Sequence, residues 1–239
     1  MKIAVILPAA GLGTRMGKSS AEKTGTSRKQ FMLLEGSPIL LHTVRKFATS
    51  PRVTEIVVAV RSEDVEWVHS TLAREFPDGK VRVVEGGNSR QQSVENALAA
   101  LAPDTDLVAV HDAVRPFIEQ DTIDKVFDEA AATGAAIVGL PAVDTVKQVN
   151  RGTGHVKIRT TLQRDRLIMA QTPQVFAYDL LRRAFQSARA DGFIGTDESS
   201  LVERLDVEVR VVMGSERNIK ITKSADMELP RLLLKEAHA

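Results

Sequence analysis

Short runs of aliphatic and β-branched residues, each followed by a stretch of helical periodicity, set the strongest limit on how this chain folds. Residues 3–7, 53–60, 80–85, 106–110 and 135–140 read as strands. Several are apolar at almost every position, the mark of a strand covered on both faces. Between them, residues 39–48, 63–75, 89–101 and 121–133 read as helices. Ser89 with Gln92 suggests a capping box, and Gly134 a helix stop. Such alternation predicts an α/β fold: a Rossmann-like, mostly parallel sheet with helices on both faces. At 239 residues and 43% hydrophobic content, the chain has material for one domain over 1–239.

Residues 143–162 break the alternation. VDTVKQV, NRGTGH and VKIRTTL read as two β-rich runs around a glycine turn, a protruding hairpin with little apolar material to bury at home. A solvated excursion and an arm onto a second subunit both fit. Beyond it we expect a strand at 169–176, helices at 177–190 and 196–205, and strands at 207–213 and 218–222. A last helix spans 225–235, interrupted or bent at Pro230.

In open parallel sheets, ligands bind beyond the carboxyl ends of the strands. The first strand delivers Pro8, Ala9, Ala10, Gly11 and Gly13, a turn almost free of bulk. Arg15, Lys18, Lys23, Arg28 and Lys29 follow, with only Glu22 against them. Small-residue amides and a cationic loop suit a polyphosphate. The dinucleotide fingerprint fails, because Met16 stands at its third glycine and the next clear strand ends in Arg61. The P-loop pattern fails because Leu12 holds its first glycine position. Other strand ends deliver Gly86, Gly87, Asn88, Arg90 and Ser93; His111, Asp112, Ala113, Val114 and Arg115; and Pro141, Asp144 and Thr145. Asp112 is a hard oxygen ligand where a magnesium–triphosphate would sit, or else an ion-pair partner for Arg115. His111 reads as a hydrogen-bonding residue at a strand end.

The net charge of +1 makes no general case for nucleic acid or membrane binding, and no apolar run is long enough to span a bilayer. The opening residues read as a first strand, not a signal peptide. The cysteine count of 0 excludes disulfides, thiol catalysis and a cysteine-ligated metal, and is compatible with a cytoplasmic protein.

PAAGLGTRMG followed by KQF resembles the signature of the nucleotidylyltransferases, more narrowly of those that join CTP to 2-C-methyl-D-erythritol 4-phosphate. GGNSRQQSV, HDAVRP, DTVK, QRDRLIMAQTPQVF, GTDESSLVE and NIKIT continue the resemblance in unbroken order from Ile3 to about Thr222. It implies an enzyme of isoprenoid precursor synthesis that uses magnesium or another divalent cation and forms a homodimer through the 143–162 arm. Pro8, Ala9, Ala10, Gly11 and Gly13 would hold the triphosphate, and Arg15 and Lys29 would stabilise charge at the α-phosphoryl group. Gly87, Asn88 and Ser93 would select cytosine and ribose. Asp112 would position the metal beside Ala113 and Lys220, and Thr172 would help line the nucleotide pocket. Thr145, Arg164, Thr196, Arg115 and Lys220 would face the alcohol phosphate, Thr145 and Arg164 from the partner's arm. Arg28 stands where the family usually has proline, and the loop before it is long, so Lys23 or Arg28 is a candidate to share the task of Lys29. Two rivals are a ribitol 5-phosphate cytidylyltransferase, which shares HDAVRP and NIKIT, and a non-catalytic nucleotide-binding regulatory protein. PAAG and TDE favour methylerythritol, and the retained Arg15, Lys29 and Asp112 favour an enzyme. A nicotinamide oxidoreductase comes third, against Met16.

Overall fold

A computed structural model describes residues 1–11, 28–151, 155–222 and 227–237. Gly13, Arg15, Lys18 and Lys23 lie outside the described residues, as do the tip of the arm and the expected start of the last helix.

The chain opens with β1 (Ile3–Pro8). A turn at Glu35–Gly36, both at positive φ, joins the short strands β2 (Leu33–Leu34) and β3 (Ser37–Pro38). Then follow α1 (Ile39–Ala48), β4 (Val53–Val60), α2 (Val65–Glu75), β5 (Val81–Glu85) and α3 (Arg90–Ala99). Ser89 caps α3, its hydroxyl accepting the Gln92 N–H at 3.1 Å. Next come β6 (Leu107–Val110), α4 (Gln120–Thr133) and β7 (Ala135–Pro141). Gly134 ends α4 in the left-handed conformation, φ 86°, a position that favours glycine. The arm follows as β8 (Lys147–Arg151) and β9 (Val156–Thr161), then β10 (Ile168–Ala177), α5 (Tyr178–Ala190), α6 (Ser199–Glu203), β11 (Arg210–Met213) and α7 (Glu228–Ala237).

Seven strands form the main sheet in the order β11-β7-β10-β6-β1-β4-β5. All neighbouring pairs are parallel except those of β10, which is antiparallel to β6 and β7. The exception follows from the arm. The chain leaves β7 at the carboxyl rim and returns from that same rim, so its next strand must run the other way. Side chains of β1 alternate between two cores. Ile3, Val5 and Leu7 pack with α1, α2 and α4, whereas Ala4 and Ile6 pack with α3, α5 and α6. Helices therefore cover both faces, as the apolar strands require.

Four expectations change. The strand expected at 207–213 is confined to Arg210–Met213. Residues 218–222 form no strand: Ile221 N–H reaches the Val114 carbonyl at 3.0 Å, and side-chain bonds hold the rest. The helix expected at 196–205 shrinks to Ser199–Glu203, and Asp197 accepts the Ser200 N–H at 3.1 Å just ahead of it. Pro230 does not interrupt α7, since it falls in the first turn, where a missing N–H leaves no helical bond unmade. Among the described residues no helix is long and apolar enough to cross a membrane.

Candidate active site

Strand order reverses between β1 and β6: the chain moves from β1 outward to β4 and β5, then crosses back to β6. Loops diverge at such a switch point and leave a crevice. Here a cleft of about 490 Å³ opens at the carboxyl ends of β1, β4, β5 and β6. Pro8, Ala9, Ala10, Gly11, Lys29, Gly87, Asn88, Ser93, Asp112, Ala113 and Lys220 line it, all of them expected from the sequence. Gln30, Arg61, Ser89, Arg90 and Val114 line it too and had no assigned role. The described lining thus carries Lys29, Arg61, Arg90 and Lys220 against the single carboxylate of Asp112, a field suited to an anion.

The turn after β1 is held by a side chain that also lines the cleft. Buried Gln30 donates its amide to the Ala9 carbonyl (2.5 Å) and to that of Gly11 (3.3 Å). Ala9 spends its own N–H on the Ala59 carbonyl at 2.7 Å. The amide cradle expected over Ala9, Ala10 and Gly11 therefore narrows to Ala10 and Gly11 among the described residues, with Ala9 contributing smallness. Lys29 and Gln30 sit in a 3-10 turn whose Phe31 packs edge-on against Trp67, ring centroids 4.8 Å apart. Before it, Arg28 pairs with Glu63 at 2.8 Å and with Asp64. Arg28 thus anchors the strand-ward end of the cationic loop and does not line the cleft beside Lys29.

The second wall is the turn after β5. Gly87 donates its N–H to Ser93 Oγ (3.0 Å), and Asn88 donates to Gln92 Oε1 (2.9 Å). Ser93 is almost fully buried and also donates to the Ser89 carbonyl at 2.8 Å. Its hydroxyl shapes the turn that faces the cleft. A Cβ at Gly86 would stand 2.7 Å from the Ala10 Cβ, so only glycine lets the two turns approach this closely.

The floor is the HDAVRP segment after β6. Lys220 lies 2.8 Å from Asp112 Oδ2, Arg115 Nε 3.3 Å from the same oxygen, and Arg90 Nε 3.5 Å from Oδ1. Burial opposes ionisation of Asp112, yet Lys220, Arg90 and Arg115 together hold its carboxyl well below the usual range. The ion pair with Arg115 is present, and Arg115 also donates to the Asn218 carbonyl at 2.7 Å. His111 behaves as a structural residue. Its Nε2 donates to the Arg115 carbonyl (3.0 Å), while Nδ1 receives the Thr172 hydroxyl (3.1 Å). Thr172 Oγ1 in turn accepts the Asp112 N–H at 3.0 Å. Thr172 therefore braces the floor and is not among the lining residues. Asn218 is buried and donates to the Gln171 side chain and the Thr172 carbonyl, which fixes the segment bearing Lys220.

Magnesium takes one or two protein carboxylates and completes its shell with water and phosphate oxygens. Asp112 suits that pattern: among the described residues, the contact to its Oδ1 is the long 3.5 Å approach of Arg90. No cluster of three or more His, Asp or Glu side chains able to cage a metal is found among the described residues. The donor set fits an ion that arrives on a polyphosphate.

Thr145, Arg164, Thr196 and Arg115 do not line this cleft within one chain. Arg164 donates to the Val143 carbonyl at 2.8 Å, closing the base of the arm, and Thr145 and Thr196 are exposed. Some residues without an assigned role carried a signal: Arg61 is a cation just after the mostly buried β4, and Arg90 stands among the residues expected at the end of β5. Gln30 carried none, because only the folded turn shows which carbonyls it meets.

The family model described as "IspD: 2-C-methyl-D-erythritol 4-phosphate cytidylyltransferase" matches residues 3–236. The chain is 75% identical over 239 residues to the 2-C-methyl-D-erythritol 4-phosphate cytidylyltransferase of Solibacter usitatus (strain Ellin6076), covering 100% of this chain and 98% of that one. It is 52% identical over 237 residues to the protein of the same name from Acidobacterium capsulatum, covering 99% and 98%. Among solved structures, 4-diphosphocytidyl-2C-methyl-D-erythritol synthase from Anaerococcus prevotii DSM 20548 superposes with a TM-score of 0.83 at 29% identity, covering 98% and 96%.

Proposed function

This chain belongs to the 2-C-methyl-D-erythritol 4-phosphate cytidylyltransferase family, and from that premise we propose how its cleft works. The protein transfers the cytidylyl group of CTP to 2-C-methyl-D-erythritol 4-phosphate, releasing pyrophosphate, in isoprenoid precursor biosynthesis. The observation that carries the assignment of roles is the meeting of Lys29, Lys220 and Asp112 with the Ala10–Gly11 turn around one cleft.

The attacking group is a phosphate monoester, largely dianionic near neutrality because its second pKa is roughly 6. It needs little general-base help. The barrier lies in bringing one anion onto another, so catalysis is positioning and charge stabilisation. Ala10 and Gly11 offer amides to the triphosphate. Arg15 and Lys29 stabilise charge at the α-phosphoryl group, and Lys220 does so from the opposite wall. The turn 86–88 holds the cytidine, its shape kept by Ser93. Asp112 would hold a magnesium ion, which would screen the triphosphate and polarise the reacting phosphoryl group. Thr196 faces the alcohol phosphate from the turn before α6. Thr145 and Arg164 reach a neighbouring subunit's cleft, with Arg115 supporting the floor through Asp112.

The arm supports a homodimer. Val149 pairs with Ile158, and Val156 lies two residues from Ile158 on the same face. All three are exposed in one chain. A lone two-stranded hairpin is marginal in water, and these side chains find cover on a second copy. The chain acts as one domain bearing this arm, in the cytoplasm, where both phosphorylated substrates are held.

Pyrophosphate release with CTP tests the reading. Turnover is expected with 2-C-methyl-D-erythritol 4-phosphate and not with ribitol 5-phosphate; the reverse preference, or CTP binding without turnover, rejects it. Arg15→Ala and Lys29→Ala should each lower turnover on the order of 10²-fold or more. Near-normal turnover in both removes them from the catalytic set.

A further inference from the structure

The first turn of α3 touches both substrate sides of the cleft. Gln92 Oε1 accepts the Asn88 N–H of the nucleotide turn at 2.9 Å. One residue earlier, Gln91 donates to the Phe193 carbonyl (3.2 Å) and accepts the Gly195 N–H (3.0 Å). One earlier again, Arg90 Nη1 lies 2.7 Å from Glu198 Oε1, and its Nε is 3.5 Å from Asp112 Oδ1. Three consecutive side chains thus join the nucleotide turn, the phosphate floor and the 193–198 turn that bears Thr196.

The Arg90–Glu198 pair is a poor device for stability. Glu198 is 1% exposed and its Oε2 has no hydrogen-bond partner among the described residues. Withdrawing such a carboxylate from water costs about as much as its pairing returns, and an apolar pair would hold the turn as well. An apolar pair could not also reach Asp112. A planar guanidinium can, with its donors in a rigid fork.

We propose that Arg90 is a positioning residue: seated on Glu198 and facing Asp112, it sets the separation between the acceptor-side turn 193–198 and the phosphate floor. The attacking phosphate then sits in line with the α-phosphorus. This rests on the reading that the Thr196 turn faces the alcohol phosphate. Lysine at position 90 keeps the charge and loses the fork, so it serves one carboxylate at a time.

Steady-state kinetics with both substrates varied provide the test, using Arg90→Lys, Glu198→Gln, their double variant and Thr196→Ala. Arg90→Lys and Glu198→Gln should each raise KM for the alcohol phosphate on the order of tenfold, a typical coupling between sites. KM for CTP should stay within about twofold. The double variant should be no worse than the poorer single one, because both remove the same link. Glu198→Asp, which shortens the reach and keeps the charge, should show the same split more weakly and serves where a harsher change unfolds the protein. A parallel rise in both KM values, or additive losses, overturns the proposal and leaves a purely structural pair. If Thr196→Ala raises KM for the alcohol phosphate while the Arg90 and Glu198 variants do not, the inference fails and the reading of the turn stands. If Thr196→Ala is silent, the reading fails and the inference with it.

Discussion

At the scale of single residues, His111 shows how a motif residue can work without touching a ligand. It is fully buried, and burial pushes its imidazolium pKa down to about 4 from 6.5. The neutral ring is the form the structure uses, donating from Nε2 and accepting at Nδ1. The unfolded chain protonates this ring below about pH 6.5, the folded one only near 4, so the unfolded state holds more protons in between. The contribution to stability is complete above pH 6.5 and is lost as pH falls towards 4. Between pH 7.5 and 5 the loss should be about 2 kcal/mol. Denaturant melts at the two pH values should show a smaller drop for His111→Gln than for the natural protein; equal drops would assign the pH response to other groups. Arg28 makes the complementary point. It replaces a stiff proline with ion pairs to Glu63 and Asp64, so the approach of Lys29 is set by charge in place of a ring.

Among the elements, the turns after β1 and β5 matter more than the strands that carry them. They meet at Gly86, whose added Cβ would also lie 3.2 Å from the Val60 carbonyl. Neither Ala10 nor that backbone atom can move aside as a flexible side-chain tip could. Gly86→Ala should force the nucleotide turn outward and raise KM for CTP about tenfold, equivalent to roughly 1.4 kcal/mol. The overpacking should cost on the order of 1–3 kcal/mol of stability. Unchanged CTP binding in this variant, measured by calorimetry, would mean that the spacing of the two turns does not set nucleotide affinity. The element that departs most from expectation is residues 218–222. Its β-branched pattern predicts a strand, but Lys220 is delivered to Asp112 from a non-strand backbone. Side-chain bonds from Asn218 and Arg115 replace the ladder that a strand would have had.

For the whole molecule, the proposed homodimer turns on the arm. Every residue of β9 is exposed in one chain, including Val156 at 63% and Ile158 at 65%. Light scattering should give about twice the chain mass of 26.1 kDa. Substituting Val156→Asp together with Ile158→Asp should yield monomers with greatly reduced turnover, because charges on a covered face must lose their water. Monomers that retain full activity would confine the site to one chain and remove Thr145 and Arg164 from it.

Strand–helix alternation, the crowding of glycine and cations at strand ends, and the order of the motifs were legible in the residues alone. They are local properties: a buried strand must be apolar, and a backbone that approaches a phosphate must lack bulk. Ala10, Gly11, Lys29, Asn88 and Asp112 could be named from them, Lys220 only from the family resemblance, and the fold brings these residues together. Three features were not legible. These were the reversal of β10, the bonding of buried Gln30 to the first turn, and the bridge from Arg90 to both Asp112 and Glu198. The first depends on the rim to which the arm returns the chain, the other two on which distant group a side chain meets once the sheet has closed. Residues 108 positions apart, such as Arg90 and Glu198, leave no periodicity by which to find each other.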